Sequence, residues 1–124
     1  MANIALLAFR DEAGGVPFVE WLESLPEKAQ DKCRVRLERL AEMGHELRRP
    51  EADYLRDGVY ELRIKFLRVN HRILYFFHGR TAVILSHGLQ KEKAVPPKEI
   101  DLARDRKSVF ISDPAKYTAK EDIL

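Results

Sequence analysis

Three basic residues and one histidine in the middle of the chain could act together on a phosphodiester: Arg63, Lys65, Arg72 and His87. Cleavage of RNA without a metal needs a base for the ribose 2′-hydroxyl, an acid for the leaving oxygen, and fixed cations around the reacting phosphate. Arginine and lysine can supply the cations. Histidine, with an ordinary pKa of about 6.5, can transfer protons near neutrality, and cationic neighbours favour its neutral form. We therefore predict that His87 is the base, and the acid stays unassigned.

Each cation also has an ordinary structural interpretation. Arg63 and Lys65 could simply solubilise the outer face of a strand. Arg72 begins an otherwise apolar stretch, where a buried guanidinium must meet an anion. The alternative to a phosphate contact is therefore a salt bridge from Arg72 to Glu61 or Asp57. The sequence leaves both interpretations open.

Positive charge is concentrated in the middle of the chain. The formal net charge is only +2, but residues 56–93 hold 8 basic and 3 acidic side chains and so carry +5. Lysine and arginine clustered in one region of a nearly neutral chain are typical of an anion site such as a phosphate backbone. Three more cations of this region, Arg68, Lys91 and Lys93, are predicted to bind RNA.

The N-terminal half is predicted to form a strand and two helices. Residues 4–9 are a short apolar run that indicates a buried strand, and Pro17 suits the first turn of a helix. The apolar side chains of this helix recur on one face: Phe18, Val19, Leu22 and Leu25. The second helix has an apolar stripe of its own: Ala29, Cys33, Leu37, Leu40 and Ala41. A capping box of Ser24 and Glu27 should begin it and Gly44 should end it, which gives an antiparallel helical hairpin.

The middle of the chain changes to the pattern of β-strands. Residues 45–58 are rich in turn formers and are predicted as a loop. Three predicted strands follow, at residues 59–66, 69–77 and 81–87. The first alternates in polarity, with Arg63 and Lys65 on its outer face, and the second is expected to be central. If the three strands form an antiparallel meander, Arg72 lies beside that basic face.

The length and composition favour one domain. A chain of 124 residues with 45% apolar side chains can build a single core. Residues 88–95 are predicted as a lysine-containing loop, and Pro96 and Pro97 should open a last helix. Beyond Phe110 the chain is polar and aperiodic. We therefore predict an α+β domain over residues 1–110 and a loosely ordered tail over residues 111–124.

Several classes of protein are excluded by composition. No stretch approaches the ~20 apolar residues that span a bilayer, and no export signal opens the chain, so we expect a cytoplasmic protein without a membrane partner. Cys33 is the single cysteine and cannot form an internal disulfide. The spacing of the histidines matches no compact zinc motif, and we expect neither a metal nor a cofactor.

Four motifs follow one another in the second half of the chain. They are residues 55–63 (Leu-Arg-Asp-Gly-Val-Tyr-Glu-Leu-Arg), residues 72–75 (Arg-Ile-Leu-Tyr), His87-Gly88 with Lys91 and Lys93, and residues 97–100 (Pro-Lys-Glu-Ile). As a set they resemble the phage Gp49-like branch of the RelE/HigB toxins. The order of elements matches this branch over about residues 4–107.

The resemblance implies a RelE-like fold with an N-terminal strand, a two-helix hairpin, an antiparallel three-strand meander and a C-terminal helix. It implies the toxin of a type II toxin-antitoxin system, paired with a helix-turn-helix antitoxin of the HigA kind. Such a toxin is a metal-independent endoribonuclease that cuts mRNA on the ribosome and leaves a 2′,3′-cyclic phosphate. By position, Arg63 and Lys65 match the basic pair of the first meander strand, Arg72 matches the arginine at the scissile phosphate, and Lys91 and Lys93 match the basic loop.

Two alternatives to the nuclease stay open. A sister group with the same fold poisons DNA gyrase without cutting RNA, and fold alone does not separate the two activities. A degenerate toxin could also persist as a partner-binding module. Some relatives carry a catalytic tyrosine near the C-terminus, where this chain offers Tyr117. The basic face of residues 56–93 favours the nuclease.

Overall fold

The computed structural model describes residues 3–120 and residue 123, which form a five-stranded sheet and three helices. The elements are β1 Ala5–Ala8, α1 Pro17–Glu23, α2 Glu27–Met43, β2 Ala52–Arg56, β3 Val59–Phe66, β4 Val69–His78, β5 Ala82–Gln90 and α3 Pro97–Ser112. The fold is therefore α+β. No helix of the described residues has both the length and the apolar character needed to cross a membrane.

The strands lie in the order β1-β5-β4-β3-β2, with β1 parallel to β5 and every other pair antiparallel. The strand β4 is central, as its apolar second half predicts. The strand β2 corrects the prediction of a loop over residues 45–58. Its short, mixed sequence carries little strand signal, and pairing with β3 (Asp53 opposite Glu61, Tyr54 opposite Tyr60) makes it a strand.

One face of the sheet is covered by α1 and α2. The predicted stripe of α2 is buried at every position, and so are Phe18 and Leu22 of α1. These residues pack on side chains of the sheet such as Leu62, Ile73 and Leu85. Burial raises the pKa of the Cys33 thiol to about 11, which agrees with a plain core cysteine.

The ends of α2 match the sequence only in part. Gly44 ends the helix with a φ of 53°, and its N–H donates to the carbonyl oxygen of Leu40. The predicted capping box is wrong, because Pro26 is the N-cap residue and no side chain caps this end. The Ser24 hydroxyl donates instead to the carbonyl oxygen of Trp21, at 2.5 Å.

The opposite face of the sheet is covered by α3, which packs in two clusters. One joins Val59 and Leu74 to Ile100 and Ala103. The other joins phenylalanines of β4 and α3 to the β1 end of the sheet: Phe9, Phe76, Ile84 and Phe110. Neither cluster includes the residues of β3 and β4 nearest the β3–β4 turn, so α3 leaves that end of the sheet open.

The C-terminal segment lies along β1. The helix α3 continues through Ser112, and Thr118 forms a β-bridge with Phe9. Tyr117 and Ala119 are buried, and the Tyr117 hydroxyl donates to the Glu12 carboxylate at 2.6 Å. The loosely ordered tail over residues 111–124 stays a prediction, and these contacts favour a docked segment.

Candidate nucleic-acid interface

Pairing of β3 with β4 brings two predicted site residues together. Arg63 lies directly opposite Arg72, and Lys65 lies opposite Asn70. Directly opposed residues project to the same side of a sheet, which here is the side of α3. These cations lie towards the β3–β4 turn, where α3 leaves the sheet uncovered.

Arg72 and Arg63 share one carboxylate. Arg72 forms an ion pair with Glu61, whose side chain is only 3% exposed, and its Nη2 also donates to the carbonyl oxygen of Lys93 at 3.1 Å. The Nε of Arg63 donates to the same Glu61 oxygen at 3.2 Å. The structure therefore shows the salt bridge from Arg72 to Glu61, and Asp57 pairs elsewhere, with Arg56 at 2.6 Å.

The network continues onto β2. Nη2 of Arg63 lies 3.4 Å from a carboxylate oxygen of Asp53, and Nη2 of Arg49 lies 2.8 Å from the same oxygen. Asp53 and Glu61 are cross-strand partners, so two negative charges face each other. Arg63 bridges them and offsets a repulsion that would otherwise destabilise the pair. With Arg49, Arg63 and Arg72 against Asp53 and Glu61, the arginine cluster carries a net charge of +1.

The arginine cluster forms one wall of an open cleft of about 550 Å³, which we call the arginine cleft. Lys93 and Val95 also line this cleft. The side chain of Arg63 is 35% exposed, whereas that of Arg72 is 12% exposed. A ligand in this cleft would therefore meet Arg63 more readily than Arg72.

A second cleft, of about 460 Å³, lies beside the β3–β4 turn and contains the predicted RNA-binding residues. Arg68, Lys91 and Lys93 line this turn cleft, and all three are exposed. Lys93 also lines the arginine cleft, so the two clefts are adjacent. Lys65 is exposed and shares a third cleft with Arg63 and Arg72. Six of the seven predicted site residues thus lie at one end of the sheet.

His87 lines none of these three clefts, although it lies in β5 two residues from Leu89, the residue opposite Arg72. It is 8% exposed, pairs with Leu74 in the sheet, and is covered by α3. Its Nε2 lies 3.0 Å from a Glu99 oxygen, and its Nδ1 lies 2.8 Å from the Ser86 hydroxyl. Burial lowers the pKa of His87, and nearby Arg106 adds to this effect, against the raising influence of Glu99.

Most of the chain matches a known protein family. Residues 20–108 match the family described as phage-derived protein Gp49-like (DUF891), which is more than two thirds of the chain. The chain belongs to this family. The resemblance found in the sequence motifs is thereby confirmed. No curated protein matches the chain. The Gp49-like region runs from α1 into α3 and contains both basic clefts.

Sequence reasoning missed two members of the arginine cluster of this Gp49-like protein. Arg49 and Asp53 lie in the segment predicted as a loop, and only the pairing of β2 with β3 carries Asp53 to Arg63. The Arg48-Arg49 pair before Pro50 was an available signal, because a basic pair close to the +5 region could belong to the same surface. In the part of the chain that the structure describes, no three histidine, cysteine or acidic side chains are grouped so as to hold a metal ion.

Proposed function

We propose that this Gp49-like protein is the RelE-like toxin of a type II toxin-antitoxin system, and that it cuts mRNA on the ribosome. The observation that carries the proposal is the convergence of Lys65, Arg68, Lys91 and Lys93 on the end of the sheet that holds Arg63 and Arg72. Exposed cations in adjacent open clefts suit a polyanion that runs across several of them.

The arginine cleft would hold the scissile phosphate. In the proposed reaction the ribose 2′-oxygen loses its proton and attacks phosphorus, while the 5′-oxygen leaves and gains a proton, which yields the 2′,3′-cyclic phosphate. Arg63 would neutralise the charge that develops on the phosphate, and Lys65, in the third cleft that Arg63 also lines, would hold the adjoining part of the strand. Because Glu61 fixes both Arg63 and Arg72, these donors need little reorganisation during the reaction.

In this proposal Arg72 is not the main phosphate ligand and His87 is not the base, in contrast to the roles that the sequence predicts. Arg72 is largely buried and anchored to Glu61 and the Lys93 carbonyl oxygen, so it acts mainly as a positioning residue. His87 has both ring nitrogens engaged under α3, and we leave it out of the reacting group. The chain would then act by orienting the RNA and by electrostatic stabilisation.

A second candidate function is a partner-binding module without nuclease activity. The pairing of Arg63 and Arg72 with carboxylates and the enclosure of His87 favour it. In either case, a HigA-like antitoxin with an acidic segment would be drawn to the same clefts, because opposite potentials attract.

Primer-extension mapping on translating ribosomes tests the nuclease proposal. Expression of the wild type should produce breaks within translated mRNAs, and Lys65→Ala should reduce them at least tenfold with an unchanged melting temperature. Arg80→Ala is the matched control, because Arg80 is exposed in the β4–β5 turn at the opposite end of the sheet. Intact transcripts with DNA breaks would indicate a gyrase poison, and an inert wild type would indicate the binding module.

A further inference from the structure

The β3–β4 turn carries a residue that its backbone disfavours. Phe66 pairs with Val69, which leaves a two-residue turn in which Leu67 has a φ of 57°. The β2–β3 and β4–β5 turns also need a positive φ, and they place Asp57-Gly58 and Gly79 there. Glycine and aspartate tolerate this region, whereas leucine is strained in it. A residue selected only for the turn would be glycine or asparagine.

Leu67 is also exposed to solvent without contributing to the core. Its exposed fraction is 79%, the highest among the large apolar residues that the structure describes. Val69, the next residue but one, is 39% exposed. The backbone strain at Leu67 lowers stability, and burial of the side chain does not offset that cost. Observed strain of this kind is a reason to look for a binding role.

The surroundings of Leu67 are cationic. Arg68 follows it in the turn, and Arg68, Lys91 and Lys93 line the turn cleft together with Val69. Lys65 lies two residues before Leu67 and is exposed. Glu92 is the one acidic residue among those that line this cleft. An apolar projection among cations is complementary to a nucleotide strand, in which flat apolar bases alternate with phosphates.

We propose that Leu67 is a wedge that packs against an unstacked base of single-stranded RNA, while Arg68 and Lys91 hold the phosphates beside that base. The proposal rests on the proposed function and adds a base-contacting residue to it. Apolar side chains inserted between bases are used in this way by proteins that unstack a nucleic acid. The wedge would hold the strand in an extended path beside the arginine cleft, through the shared residue Lys93.

Leu67→Asn separates the wedge from a structural role. If Leu67 stabilised the fold, the substitution should lower the melting temperature; if Leu67 is a wedge, it should raise the melting temperature and weaken RNA binding. Asparagine fits a positive φ, so the melting temperature should rise. Affinity for RNA should fall about tenfold, the scale of one lost base contact. The probe is a 2′-O-methyl RNA decamer, which cannot be cut through a 2′-hydroxyl, with a single central 2-aminopurine that reports unstacking by its fluorescence. Wild type should raise the fluorescence, and Leu67→Asn should abolish the rise.

Ile111→Asn is the matched control, because Ile111 is 56% exposed at the far end of α3. It should change neither the affinity nor the fluorescence. Wild-type affinity and fluorescence in Leu67→Asn would overturn the wedge while leaving ribosomal cleavage untouched. Failure of the wild type to bind the decamer would overturn the wedge as well. If the wild type raises the decamer fluorescence but cuts no mRNA on ribosomes, only the nuclease proposal is overturned.

Discussion

Arg72 and Glu61 form an ion pair at the base of the arginine cleft, where their side chains are 12% and 3% exposed. Glu61 also accepts a hydrogen bond from Arg63, so one buried carboxylate orients both arginines of the cleft. The sequence allowed Arg72 either a phosphate contact or this salt bridge. The pairing makes Arg72 part of the support of the cleft. Removal of Arg72 should therefore lower the stability of the protein.

Arg72→Ala should destabilise the protein by ~3 kcal/mol or more, because it leaves the Glu61 carboxylate buried with only part of its compensation. The double variant Arg72→Ala with Glu61→Ala should be less destabilised than the sum of the two single variants, because the unpaired charge is then absent. Urea denaturation of the four proteins measures the coupling. Lys65→Ala is the control and should stay within ~0.5 kcal/mol of wild type, since Lys65 is exposed. A stable, fully folded Arg72→Ala protein would contradict the supporting role.

The exposed cations should determine how RNA binding depends on salt. For a single strand, each phosphate neutralised adds about 0.7 to the slope of log K against log salt concentration. Lys65→Ala and Lys91→Ala should therefore each lower the slope by about 0.7, and together by about 1.4. Arg80→Ala should leave it unchanged. Fluorescence anisotropy of the uncleavable decamer over a series of KCl concentrations gives the slopes. Equal slopes for all variants would show that the RNA phosphates contact neither Lys65 nor Lys91.

Much of the fold was predictable because it follows from local periodicity. The α2 stripe and the alternation of β3 each repeat over several turns or residue pairs, and the bounds of β3 match the prediction over residues 59–66. The strand β2 has five residues and no such repeat. Its identity depends on β3 lying beside it, and a single sequence does not contain that information directly.

The candidate site was predictable where residues share one strand or one turn. Arg63 and Lys65 lie on the same face because they are two residues apart, and Arg72 joins them through the adjacent strand. The position of His87 depended on α3, whose first turns supply Glu99 and cover the ring. The sequence predicts that helix but not which part of the sheet it covers. Glu61 shares the face of Arg63 and Lys65 by alternation, yet it is buried and paired with Arg63 and Arg72.

Gly88→Ala should destabilise the protein, because a Cβ at this position would lie 2.1 Å from the ring of Trp21. The expected cost is ~2 kcal/mol, as for other overpacked core sites. The intrinsic fluorescence of Trp21, the single tryptophan, should shift as its ring moves outward. Trp21→Leu should recover part of the loss when it is combined with Gly88→Ala. Additive effects of the two substitutions would show that the ring does not occupy this space.

His87 should make the stability of the protein depend on pH below about 6.5. Burial lowers the pKa of its ring, and Ser86, Glu99 and Arg106 are the polar groups around it. In the unfolded chain the ring binds a proton below its ordinary pKa of about 6.5, while in the folded chain it resists the proton. The contribution is therefore fully present above pH 6.5 and is lost as the pH falls towards the lowered folded value.

Thermal melts at pH 7.5 and pH 5.5 test this dependence. Wild type should melt at a lower temperature at pH 5.5, and His87→Gln should show a smaller difference because it removes the titrating ring. His71, whose pKa burial also lowers, should contribute in the same direction, so His71→Gln is measured in parallel. Arg80→Gln, which changes an exposed side chain and leaves every histidine in place, is the control and should keep the wild-type pH difference. A pH difference that is unchanged in both His87→Gln and His71→Gln would show that neither ring is kept neutral by the fold.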